Sequence, residues 1–115
     1  MEETRAHNGK TTIAPEVLLT IARLAALGVE GVARMGAVSG GVNKLFKRGV
    51  GEGVRIEVQE GRVTADLFLV VRPESSVREV SRSVQAEVAR AIEELVGMDV
   101  AAVNIHIEDV AFENQ

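Results

Sequence analysis

The sequence contains no cysteine, no tryptophan and no tyrosine. Without cysteine there are no disulfides, thiolate nucleophiles or cysteine-ligated metals, so folding rests on packing, as suits a cytoplasmic protein. Three phenylalanines are the whole aromatic content. That removes the stacked platforms on which single-stranded nucleic-acid readers and many interface hot spots depend. Clustered basic charge is scarce as well. Lys and Arg number 13 against 17 Asp and Glu, a net charge of −4, which argues against a nucleic-acid partner. No apolar run approaches the ~20 residues of a membrane span. Met1–Lys10 is polar and mixed in charge, without the apolar segment of a signal peptide. Any membrane association is therefore expected to be peripheral or through a partner.

What is present is the material of one domain with a single core: 115 residues, 46% hydrophobic and 26% charged. The chain is organised around Val54–Val71. Val54, Ile56 and Val58 alternate with Arg55, Glu57 and Gln59. Beyond Glu60-Gly61, Val63, Ala65, Leu67, Leu69 and Val71 alternate with Thr64, Asp66, Phe68, Val70 and Arg72. Period-two alternation predicts a hairpin with one apolar and one mostly polar face. Phe68 and Val70 fall on the polar face, which makes them candidate residues for a protein contact.

Around the hairpin, Thr11–Ile13 reads as a short entering strand. Pro15 suits the first position of a helix ending near Leu27, with Val17, Leu18, Ile21, Leu24 and Ala25 as its apolar stripe. Gly28 is the expected left-handed stop, followed by a strand over Val32–Met35. Ser76 and Glu79 form a capping box opening a second helix. Its stripe is Val77, Val80, Val84, Val88, Ala91, Ile92 and Leu95, and Glu87–Arg90 and Arg90–Glu94 can pair on the opposite face. Gly97 ends it. Val103, Ile105 and Ile107, alternating with Asn104, His106 and Glu108, make the last strand. The predicted order is β-α-β-β-β-α-β. That is an α+β two-layer sandwich, with two helices on one face of an antiparallel or mixed sheet. The domain spans residues 10–112 between tails at 1–9 and 113–115.

Candidate chemistry is thin. Six of the eleven glycines lie in Gly36–Gly53, together with the basic cluster Lys44, Lys47 and Arg48, interleaved with Val42, Leu45 and Phe46. Lys44, Phe46, Lys47 and Arg48 are candidates for contact with a partner or an anionic surface. The plainer reading is a connector whose apolar residues cap the core edge. Neither G-x-x-x-x-G-K-[ST] nor G-x-G-x-x-G occurs. Gly28-Val29-Glu30-Gly31 spells G-x-x-G, but Glu30 would repel a phosphate backbone, and a sharp helix-to-strand turn accounts for both glycines. His106 shares the polar face with Asn104, Glu108, Asp66 and Glu57. A metal or general-base site would need such groups, yet a solvated strand residue is the better reading. Glu93, Glu94, Asp99, Glu108 and Asp109 read as a solvated acidic end. No catalytic residue, cofactor or metal ligand is assigned.

The segment Ile13–Val17 through Ile21-Ala22, then Gly31–Met35, resembles the opening of the alkaline-shock/general-stress (Asp/Gls) family of Gram-positive bacteria. Val63–Val71, the helix around Val84–Val88, and Val100–Ile105 with Asn104 extend the likeness over roughly Lys10–Val110. The resemblance implies a non-enzymatic cytoplasmic protein of the cell-envelope stress response, acting by protein contacts and homo-oligomerisation. It further implies membrane proximity through a membrane-anchored partner. The alternative it leaves is a small regulatory or ligand-binding module linked to fatty-acid and lipid metabolism.

Overall fold

Pro15 opens the first helix, α1 (Pro15–Leu27), directly after Ala14 in extended conformation. The computed structural model describes residues 9–38 and 49–112. It continues with β1 (Val32–Met35), β2 (Gly49–Gly51), β3 (Val54–Gln59), β4 (Arg62–Val71), α2 (Val77–Val96) and β5 (Asp99–Val110). The expected strand at Thr11–Ile13 is not formed; those residues carry no regular structure, and Ile13 packs against the core. β2 instead arises inside the stretch read as a loop. The order is thus α-β-β-β-β-α-β, and the two-layer α+β class stands.

β4 is the centre of a five-stranded mixed sheet. β3 pairs with it antiparallel, Val54 opposite Leu67 through Gln59 opposite Arg62. The two-residue turn between them, Glu60-Gly61, has positive φ at both positions (53° and 77°), as a type I′ hairpin requires. β5 pairs with β4 in parallel over its full length, with α2 as the crossover. β1 must therefore share the edge of β4 that β3 occupies, and it pairs there with Leu69–Val71. The two short strands meet at Phe68. Its N–H donates to the Gly53 carbonyl at 2.8 Å, and its carbonyl accepts from the Gly36 N–H at 2.7 Å. Gly53 has no room for a side chain: a Cβ there would stand 2.7 Å from Met35 Cβ and 2.8 Å from the Gly36 oxygen.

The core lies between the helices and one sheet face. Val63, Ala65, Leu67, Leu69 and Val71 of β4 are buried against Leu18, Ala22 and Ala26 of α1 and Val80, Val84, Val88 and Ile92 of α2. Ser76 Oγ accepts from the Glu79 N–H at 3.3 Å, capping α2, and Gly97 ends that helix at φ 77°. The α1 stripe is shifted from the sequence reading, whereas the α2 stripe holds at Val80, Val84, Val88 and Ile92 and fails only at its ends. In α1, Leu18, Ala22 and Ala26 face inward, while Val17 and Leu24 are exposed, Leu24 at 58%. Leu18, Ala22 and Ala26, four residues apart, define the inner face and leave Leu24, two residues from each alanine, on the opposite side of the helix. In α2, Val77 and Leu95 stand at the two ends and are exposed. The left-handed turn after α1 also moves: Gly28 has φ −80°, and Gly31 takes φ 104°.

Candidate functional site

The sheet face away from the helices carries the residues with chemical potential. Register brings them together across three strands: Arg55 of β3 lies opposite Asp66 of β4, Asp66 opposite Asn104 of β5, and Phe68 opposite His106. Asp66 is the hub. Its Oδ1 accepts from Asn104 Nδ2 at 3.1 Å and stands 3.2 Å from His106 Nε2, while Arg55 Nε lies 3.6 Å from Oδ2. The Asp66 side chain is only 17% exposed, so these partners replace water around its charge. The His106 ring stacks on Phe68, and the Arg55 guanidinium carbon is 5.6 Å from the Phe68 ring centre. The carboxylate a general base would require is already engaged on both oxygens. The arrangement clamps β3, β4 and β5 together on the side the helices do not cover.

Phe68 and Val70 lie on this face, as their alternation requires. They are not exposed: Phe68 is at 3% and Val70 at 4% of full accessibility. The expectation that they offer themselves to a partner is corrected accordingly. Phe68 is covered in part by its own neighbours His106 and Arg55. Lys44, Phe46, Lys47 and Arg48 lie outside the described residues, as do most of Gly36–Gly53 and residues 1–8 and 113–115 of the tails. The acidic end divides. Because α2 runs back against β5, Glu93, Glu94 and Asp99 gather at one end of the molecule, and Glu108 and Asp109 at the other. Arg90 pairs with Glu87 and with Glu94, as read from the spacing.

Two grooves flank the helix layer. One, of about 900 Å³, runs from Leu27–Val32 to Arg72, Ser75 and Glu79. Gly31 sits in it against α2, where a Cβ would meet Val80 Cγ2 at 2.5 Å. The other, about 540 Å³, is mostly apolar and is lined by Ile13, Pro15, Leu18, Val58, Val96 and Met98. Among the described residues, no group of three or more His, Asp or Glu side chains is placed to hold a metal ion.

The sequence reading missed two features. The first is the Arg55–Asp66 pair; the hairpin register, countable from the Glu60-Gly61 turn, could have found it. The second is the outer edge of β5. This strand pairs with β4 and, among the described residues, with no other strand. Gln85 of α2 reaches down to it, donating from Nε2 to the Val103 carbonyl at 3.1 Å.

The family profile of the alkaline shock protein 23 group, described as having a cell envelope-related function, matches residues 3–112. The chain belongs to this alkaline-shock family. Its relatives include the uncharacterized protein YqhY of Bacillus subtilis, 32% identical over 117 residues, covering 100% of this chain and 87% of that protein. The uncharacterized protein Spy1535 of Streptococcus pyogenes is 32% identical over 111 residues, covering 96% and 85%. Among solved structures, a form of the MamM CTD has a TM-score of 0.58 at 21% identity, covering 82% of this chain and 93% of that one. Zinc, nickel and manganese forms of the MamM CTD superpose comparably. At this identity the likeness is one of fold. For the family member described here, the resemblance read from the sequence is thereby established, together with a cell envelope-related role.

Proposed function

We propose that this alkaline-shock family member is a non-enzymatic protein of the cell envelope stress response, working through protein contacts and self-association close to the membrane. No helix among the described residues is long and apolar enough to cross a membrane. The reading assigns the membrane link to a membrane-anchored partner. The observation that carries it is the open side of β5. Twelve residues, Asp99–Val110, present an edge that pairs with no other described strand, and exposed edges are natural templates for association. The outer face supports the same reading, because Asp66 and its partners satisfy one another instead of aiming at a substrate.

Sedimentation velocity over a wide concentration range tests this. The expected result is a sedimentation coefficient that rises with concentration, as a reversible dimer or larger assembly requires. A monomer throughout, together with turnover of any small substrate, would contradict the reading.

A further inference from the structure

The edge of β5 is built for one particular occupant. In a parallel ladder, alternate residues direct their backbone N–H and C=O toward the neighbouring strand, and the others direct theirs away. The Val103 carbonyl accepts from Gln85 on α2, so Val103 belongs to the outward set. Ile105 and Ile107, at the same parity and before the register shift near Glu108, turn the same way. Their side chains meanwhile pack inward against the core. A run of outward donors and acceptors is therefore held rigidly at the rim of the sheet. The Gln85 bond occupies one lone pair of the Val103 carbonyl and leaves the other available.

The helix above this rim is polarised. Arg78, Arg82, Gln85, Ala89 and Glu93 follow one another at spacings of three and four, which places them on the side of α2 that Gln85 turns toward the β5 edge. Arg78, Arg82 and Glu93 are exposed, and among the described residues none of the three makes an ion pair. The flank is basic at the start of α2 and acidic at its end, with neutral Gln85 and Ala89 between. Such a pattern complements itself when reversed.

We infer that β5 pairs antiparallel with β5 of a second copy of this chain about a two-fold axis, bringing Arg82 of each copy against Glu93 of the other. This rests on the self-association proposed above and names its surface. A two-fold contact uses one patch twice, so each charge pair occurs twice. The Arg82 and Glu93 flanks then favour the antiparallel arrangement, because a parallel pairing of the same two edges would place the α2 helices on opposite faces of the sheet, where these charges could not meet.

The test is a charge swap followed by sedimentation equilibrium, with circular dichroism as the check on folding. Arg82→Glu sets Glu against Glu twice per dimer, and Glu93→Arg sets Arg against Arg twice. Each variant alone should associate about tenfold more weakly or worse, given the cost of like charges at an interface. An equimolar mixture of the two single variants should recover association, because only the mixed dimer pairs Glu with Arg at both contacts. The double variant should recover it as well. If the wild type associates but the single variants match it, or if mixing restores nothing, the β5 edge is not the interface, and the proposed self-association survives on another surface. A wild type that stays monomeric at every concentration overturns both.

Discussion

The ring of His106 lies over the ring of Phe68, centroids 4.4 Å apart and planes 10° from parallel, with the two residues opposite each other in the β4–β5 ladder. This stack helps to explain how an apolar ring can stand on the polar face of the sheet and still be buried. Phe68 also links the sheet through its backbone, bonding Gly36 on one side and Gly53 on the other. It belongs to the scaffold.

Replacing Phe68 should therefore damage the fold itself. Phe68→Ala is expected to lower stability by about 3 kcal/mol in urea unfolding, the usual cost of removing a buried ring. Phe68→Glu would bury an unpaired charge and should leave little folded protein by circular dichroism. A Phe68→Glu protein with an unchanged melting temperature would show that the ring is not buried.

Asp66→Ala removes the acceptor shared by Asn104, His106 and Arg55. Hydrogen bonds to a charged group contribute more than neutral ones, but this face is partly solvated, so a loss of about 1–2 kcal/mol is expected. Asp66→Asn keeps one acceptor and should cost less. Equal, negligible losses in both variants would remove the cluster as a clamp.

How much of this could be read from the sequence depends on how locally each feature is encoded. The hairpin is legible to the residue, because strict alternation brackets a two-residue turn between Gln59 and Arg62. The last strand is legible only from Val103 onward. Ala101 falls at a register shift against β4 and breaks the alternation, which hides the first residues of β5. The parallel pairing of β4 with β5 depends on where α2 deposits the chain, and nothing local to either strand records that. The contacts of Asp66 with Asn104 and His106 and the open β5 edge both follow from it. The shared polar face is legible in the alternation and the Arg55–Asp66 pair in the hairpin register, but the β4–β5 register is not. The inner face of α1 was misread for a different reason. Ala22 and Ala26 are weak signals in a hydrophobic stripe, yet both are fully buried on the inner face.

That rotation of α1 is directly testable. Leu18 is fully buried, and Leu18→Ala should cost 2–5 kcal/mol by the range seen for leucine truncation in cores. Leu24→Ala, at an exposed position, should change stability by less than about 0.5 kcal/mol. Comparable losses in the two variants would restore the stripe expected from the sequence.

Gly31 and Gly28 form a matched pair for the turn after α1. Gly31→Ala meets both a φ of 104° and a Cβ position 2.5 Å from Val80 Cγ2, and should destabilise by roughly 2 kcal/mol or more. Gly28→Ala meets only ordinary contacts, 3.6 Å from the nearest carbonyl oxygens, and should be nearly neutral. Thermal melts of the two variants decide the matter.

The central claim is that this chain acts through contacts between proteins and that β5 is the edge it uses on itself. Amide hydrogen exchange, followed residue by residue at concentrations below and above the association midpoint, tests that claim most directly. The N–H groups of Val103, Ile105 and Ile107 should exchange markedly more slowly in the associated state. Those of Asn104 and His106, already directed toward β4, should change little. Association that leaves Val103, Ile105 and Ile107 exchanging at their dilute rate would contradict the account.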